Sequence, residues 1–401
     1  MIKDIKAREI IDSRGNPTVE VSLFTNQGKT TSSVPSGAST GSFEAKEIRD
    51  GGERFGGKGV LEAVSNVNKK ISSVLKGEDL DPSKIDKILI ELDGTEDKSN
   101  LGANAILGVS MSVFRAVAKK KNLSFYDYIS SEFDFEQKIP TPCFNIINGG
   151  VHSGGGVSFQ EFMIVPKENS FSENLRFAVE FYQKLKQKIS LNYGASSVNI
   201  GDEGGFVPDI KKTEDVFNLL REVDSSISVL VDVASTEFYK EEKYLLDGDL
   251  KNREEMIAFY KNLKERFSIV GLEDPLMEDD FVGWGELRKE LSDILIVGDD
   301  LLTTNIKRMQ RAEENNSCNA MILKINQIGT VSEALQSAKT AQEFQWKIIV
   351  SHRSGETNDD FIADFAVGIG ADYIKSGAPA RGERVAKYNR LLEIEDEKKE
   401  Q

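Results

Sequence analysis

The stretch from Ile269 to Asp300, "IVGLEDPLMEDDFVGWGELRKELSDILIVGDD", holds two short apolar runs with a helical segment between them. One run ends in Glu273 and the other in Asp299. The same rhythm starts near residue 140 and continues through "VNIGDEGG", "ISVLVDVAS", "AMILKIN", "KIIVSHRSG" and "DYIKSG". The polar residues that end these runs are Glu203, Asp232, Glu273, Asp299, Lys324, His352 and Lys375. Successive gaps between them are 29, 41, 26, 25, 28 and 23 residues, by subtraction of their numbers. A strand, a helix and two loops take about that much chain. Seven such units predict a closed β/α barrel, in which the C-terminal strand ends converge on one face. Residues spread over much of the chain would then meet in one cleft. An open doubly wound sheet is the rival architecture. It would scatter these residues along an edge, and gives no reason for every strand to end in an ionisable group.

Residues 1–130 read differently. "PTVEVSLFTNQGKTTSSV" alternates apolar and polar residues about a turn, as a hairpin does. "VLEAVSNVNKKISSVL" and "NAILGVSMSVFRAVAKK" carry apolar residues at helical spacing. Strands followed by helices predict a small α+β domain. The pattern weakens near "SEFDFEQKIPTP". The expected fold is therefore α/β, with a TIM-like β/α barrel over 131–401 preceded by a smaller α+β domain over 1–130.

Hydrophobic residues make up 39% of the chain and charged residues 29%, an ordinary globular balance. The net charge of −15 argues against a nucleic-acid footprint, which needs a basic face. No uninterrupted apolar run approaches a bilayer span, and no signal-peptide pattern opens the sequence, so a cytoplasmic location is expected. Cys143 and Cys318 read as small buried residues in a reducing compartment. The terminal charge run "EIEDEKKEQ" reads as a solvated tail.

Three carboxylates, Asp232, Glu273 and Asp299, end successive strands. Facing one point they would repel, and a hard cation such as Mg²⁺ with oxygen ligands removes that problem. Taken singly, each could equally be a helix N-cap or a loop acid. Lys324 ends an apolar run, so its ammonium needs a partner or a task. A base poised near neutrality needs its pKa lowered by roughly three units, about 4 kcal/mol, and nearby positive charge such as Lys375 pushes that way. The plainer role is a salt bridge to a barrel acid. Arg353 and Ser354 in "SHRSG" can hold a phosphate. "PSGAST" has the composition of a mobile lid, and equally of any surface loop. The chain has two histidines, His152 in "NGGVHSGGG" and His352 in "VSHRSGET", both in short polar loops. Glu161 and Glu203 could hold a proton for a leaving group in a desolvated cleft, or be structural. "GGERFGGKG" imitates a phosphate-binding loop, but Gly59 stands where Ser or Thr belongs and no strand leads into it.

Taken together, the motifs resemble the enolase family. The resemblance runs from "AREIIDSRGNPTVEV" to "GAPARGERVAKYN", through "PSGASTG", "KSNLGANAILGVS", "QEFMIVP", "GDEGGFVP", "GLEDPLMEDD", "GDDL", "LKINQIGT" and "IKSGAPAR". It implies the glycolytic, reversible dehydration of 2-phosphoglycerate to phosphoenolpyruvate, with two Mg²⁺ ions per site, the second arriving with substrate. Lys324 then matches the base, and Glu203 the acid with Glu161 beside it. Asp232, Glu273 and Asp299 match the ligands of the tighter ion, and Ser39 of the lid matches a ligand of the second. Gln160, His152 and His352 match residues around the substrate, Arg353 and Ser354 match phosphate binders, and Lys375 matches the group on the substrate carboxylate. Other branches of the superfamily lack the lid and the phosphate motif. A homodimer or larger homo-oligomer, an octamer included, is implied, with no nucleic-acid partner. Three departures stand out. The segment between "GDEGG" and "VDVAS" is short, Phe43 replaces a more polar residue, and Glu393 stands where many relatives carry a base that pairs with the acid matching Glu20.

Overall fold

The computed structural model describes residues 1–37, 41–150 and 156–400. The chain opens with an antiparallel sheet in the order β1 (Ile2–Ile11), β2 (Pro17–Thr25), β3 (Gly28–Ser33). The β2–β3 pair is the hairpin that the alternation predicts. Helix Ala103–Lys121 packs on this sheet, and its apolar residues from Ala105 to Ala118 are buried. The other helical stretch forms as Leu61–Ser65, Asn66–Ile71 and Ser72–Leu75, with a π-helical middle. Helix Phe125–Phe133 runs across the expected boundary at 130.

Eight strands close the barrel: β4 (Thr141–Asn148), β5 (Glu161–Ile164), β6 (Val229–Asp232), β10 (Ile269–Glu273), β11 (Leu295–Gly298), β12 (Ala320–Leu323), β13 (Lys347–Ser351) and β14 (Tyr373–Lys375). The intervening β7 (Tyr239–Lys240), β8 (Lys243–Leu246) and β9 (Asp249–Lys251) form a separate small sheet. Barrel neighbours in space are neighbours in the chain, and β14 pairs with β4 to close the ring. Side chains alternate as the strand period demands. In β12, Ala320 and Ile322 join an inner cluster with Cys143, Met163, Val297 and Ile349, whereas Met321 and Leu323 face the outer helices. Both cysteines are buried and unpaired, and burial pushes the Cys143 thiol up to about 12.

Two expectations fail here. "VNIGDEGG" is not a barrel strand. Ala195–Val198 is a 3₁₀ turn, and Glu203 sits in a loop held by the isolated bridge Ile200–Phe206. The strand that replaces it is β5, which pairs antiparallel with both β4 and β6. An antiparallel strand delivers its first residue, not its last, to the face where parallel strands end. Glu161 therefore lies level with Asp232 and Asn148. The charge run at the end of the chain is not a free tail either. It continues helix Gly382–Glu400, and buried Glu395 accepts the backbone N–H groups of Phe171 and Ser172 at 2.6 and 3.3 Å. Its carboxylate thereby satisfies orphan donors at the start of helix Phe171–Tyr193. Among the described residues no helix is long and apolar enough to cross a membrane.

The first sheet's helical layer meets the barrel's at a buried acid. Asp86, in helix Pro82–Asp93, accepts Ser332 N–H at 3.0 Å, at the start of helix Val331–Glu343. Burial raises its carboxyl from 3.8 to about 6. An acid raised on folding binds its proton more tightly in the folded state. Its stabilisation is therefore complete below pH 3.8 and is lost as pH rises through about 6. The shift corresponds to roughly 3 kcal/mol. Asp86→Asn should thus gain stability relative to wild type, by about that amount, between pH 4 and pH 7 in urea unfolding. A difference that stays flat over this range would refute the assignment.

Candidate active site

One small cavity of about 30 Å³ opens at the barrel face where the parallel strands end. Every described candidate except Glu273 lines it: Gln160, Glu161, Glu203, Asp232, Asp299, Lys324, His352, Arg353, Ser354 and Lys375. Glu273 stands just behind, bonded to Lys375. Ser39 and His152 lie outside the described residues, as do Ala38 and Thr40 of the expected lid.

Strand geometry explains the convergence. Asp232, Glu273 and Lys375 are the last residues of β6, β10 and β14. Asp299, Lys324 and His352 each follow immediately on the end of β11, β12 and β13. Gln160 precedes β5, its N–H donates to Asp232 O at 2.9 Å, and its side chain donates to Asp232 Oδ2 at 3.2 Å.

Two ammonium groups, Lys375 buried and Lys324 partly buried, organise the acids. Lys375 Nζ donates to both oxygens of Glu273, at 2.7 and 2.8 Å, and lies 3.7 Å from Glu161 and 3.8 Å from Asp232. Lys324 Nζ donates to Asp299 Oδ2, while Gln327 donates to Asp299 Oδ1 at 2.9 Å. The third cation, Arg353, makes a two-pronged pair with Glu44 of the N-terminal region, at 2.9 and 3.2 Å. It also donates to Asn326. Asp274, held at φ 42°, accepts the N–H groups of Asp299 and Asp300 at 3.0 and 2.8 Å and so fixes that loop.

Carboxylates still outnumber cations in the cavity lining, and several acids of the site are pushed above the usual carboxylate range. Burial, then the Glu203 charge, pushes Glu161 well above the usual carboxylate range. Burial and Asp232 do the same to Glu273, burial and Asp299 to Asp274, and burial and Asp274 to Asp300. Asp299 goes the other way: burial raises it, but Lys324 and Lys375 outweigh that and hold it low. The expected depression of Lys324 is not found. Burial lowers it, yet the Asp299 carboxylate overrides burial, Arg353 and Lys375, and its pKa is raised. Here Lys324 makes the salt bridge that was its plainer sequence reading.

A buried, oxygen-rich and negatively overfilled cluster fits a hard cation. Ligand atoms of Asp274, Asp299 and Asp300 lie within 4.8 Å of one another, as do those of Glu161, Glu203 and His352. A buried cluster of acids and one histidine could thus coordinate a metal ion.

Several residues here escaped the sequence reading. Glu44 and Arg384 had no signal, because neither sits near a strand end. Gln327 and Asp274 are closer to view, three residues past Lys324 and one past Glu273. Asn145, within β4, donates to Glu203 at 3.0 Å and was hidden in an apolar run.

The architecture and the cluster define a barrel protein whose polar strand ends converge on one small, charged cavity, where barrel enzymes carry their active sites. Comparison with known proteins narrows the class. Residues 2–129 match the family described as "Enolase, N-terminal domain", and residues 136–401 match "Enolase, C-terminal TIM barrel domain". The enolase of Methanococcus vannielii is 48% identical over 407 residues, covering 99% of this chain and 95% of the relative. The enolase of Pyrococcus furiosus is 49% identical over 409 residues, with the same coverage. Enolase 1 of Entamoeba histolytica is 46% identical over 418 residues, covering 99% and 96%. The chain belongs to the enolase family.

Proposed function

We propose that this enzyme, a carbon–oxygen lyase, interconverts 2-phosphoglycerate and phosphoenolpyruvate plus water, the enolase step of glycolysis, through the residues gathered at the barrel mouth. Lys324 takes the proton from C2. The electron pair forms the C2–C3 double bond, the C3–O bond breaks, and Glu203 with Glu161 delivers a proton to the leaving hydroxyl. The observation that carries this reading is that the Lys324 ammonium and the Glu161 and Glu203 carboxyls line one small cavity. Burial and the Glu203 charge oppose ionisation of Glu161. The pair thereby stores the proton that the hydroxyl requires.

Lys324 acts as a base once Asp299 is drawn away from it, since burial, Arg353 and Lys375 all favour the free amine. Asp232, Glu273 and Asp299 would hold one Mg²⁺ and Ser39 would contribute to a second, and such ions would supply positive charge for the substrate carboxylate. Arg353 and Ser354 hold the phosphate, Lys375 the carboxylate, and Gln160, His152 and His352 surround the substrate. The chain divides into a capping domain, 1–130, that carries the Ser-Gly-Ala-Ser-Thr segment, and a catalytic barrel, 131–401. Family matches over 2–129 and 136–401 support that division. A cytoplasmic homodimer or larger homo-oligomer completes the reading. Glu20 accepts from Arg8 of its own chain at 2.6 Å, and the exposed Glu393 accepts from Arg390 at 3.1 Å.

The test is ultraviolet absorbance of phosphoenolpyruvate formed from 2-phosphoglycerate, with Mg²⁺ and then with chelator. Mg²⁺-dependent formation is expected. A folded wild type that forms no product under these conditions would sink the reading.

A further inference from the structure

We propose that Arg384 is a positioning residue that fixes the Nε2–H tautomer of His352 and so aims its proton at Glu203. The proposal deepens the functional reading above and rests on Glu203 acting in the proton transfer. Arg384 lies in the C-terminal helix Gly382–Glu400, outside the cavity lining, and is fully buried. A buried guanidinium normally answers a carboxylate. Its nearest one is Glu383 Oε1, at 3.4 Å from Nε. Its other nitrogens instead grip the loops that carry the site. Nη1 donates to Arg353 O at 2.7 Å, and Nη2 donates to Ser354 O at 2.6 Å and Asp202 O at 3.0 Å. Nη1 also bonds His352 Nδ1.

That last contact decides the tautomer. Guanidinium nitrogens only donate, so His352 Nδ1 must offer its lone pair. A neutral imidazole then carries its proton on Nε2. Nε2 faces Glu203 Oε2 across 3.5 Å, and the same oxygen accepts from Asn145 Nδ2 at 3.0 Å. A second proton on the ring would have to sit on Nδ1, pointing into the Arg384 donor. One side chain on a distant helix thereby couples the "GDEGG" loop, the "SHRSG" loop and the imidazole between them.

With two histidines in the chain, ¹⁵N-histidine labelling gives a two-residue spectrum, and His152→Gln assigns it. In metal-free wild type at pH 7, His352 should be protonated at Nε2 and bare at Nδ1. Arg384→Met should mix or invert that pattern and lower kcat by about 100-fold. Arg384→Lys, which still donates, should recover part of both. A merely structural role would lower the melting temperature of both variants and leave the tautomer unchanged. A wild-type ring protonated at Nδ1, or a folded Arg384→Met protein with an unaltered His352 spectrum, would overturn the proposal. If Arg384→Met does not fold, the wild-type spectrum decides alone. The spectrum does not depend on turnover, so a wild type that makes no phosphoenolpyruvate would defeat the functional reading and leave this measurement separate.

Discussion

Lys324→Ala is expected to lower kcat by about 10,000-fold, the upper range for loss of a general base. No neighbour can take over. Lys375 is bound by both oxygens of Glu273, and Arg353 stays protonated at any working pH. The same substitution strips Asp299 of its ammonium partner and leaves Gln327 as its side-chain donor. Breaking a buried ion pair from one side costs about 3–5 kcal/mol, so the metal-free variant should melt well below wild type. Saturating Mg²⁺ should narrow that gap, because a cation on Asp299 replaces the lost charge. The two readouts separate roles. A variant that keeps a tenth of wild-type kcat would remove Lys324 from the chemistry. A melting gap untouched by Mg²⁺ would remove Asp299 from the metal site.

The second large effect falls on Glu273. Its carboxyl is fully buried, and it is the principal partner of Lys375. Glu273→Gln keeps the shape and deletes one ligand charge. The Mg²⁺ concentration that half-raises the melting temperature should climb by at least about 100-fold, since altering even the partners of metal ligands costs 10–100-fold in affinity. Wild type at 100 times its dissociation constant should gain about 2.7 kcal/mol from the ion, and the variant little at the same concentration. Loss of phosphoenolpyruvate formation should follow the same titration. An unchanged Mg²⁺ midpoint would mean that Glu273 serves only as a counter-charge for Lys375.

Much of the fold was legible because barrel strands advertise themselves. Apolar runs of four or five residues recur at nearly regular spacing, and each ends where the chain leaves the core. Asp232, Glu273, Asp299, Lys324, His352 and Lys375 were found by that rule alone. Glu203 was placed on a strand for the same reason, and wrongly. "VNIGDEGG" has the apolar start of a strand but its glycines carry it into a loop. β5, the strand actually present, is only four residues long and reversed in direction, and nothing in "EFMI" signals direction.

Sequence by itself determined the barrel class, the family and most of the strand-end residues at the barrel mouth, because local periodicity and motif order are written along the chain. Tertiary structure alone decided how charge is shared among those residues. It paired Lys324 with Asp299, which raises a lysine that sequence reasoning expected to be lowered. It pushed Glu161 above the usual carboxylate range, brought Glu44 across to Arg353, and set Arg384 behind His352. The physical reason is common to all four. A buried group's protonation is governed by the few charges within reach, and those charges come from different segments, as near as 25 residues along the chain for Lys324 and Asp299 and as far as 309 for Arg353 and Glu44.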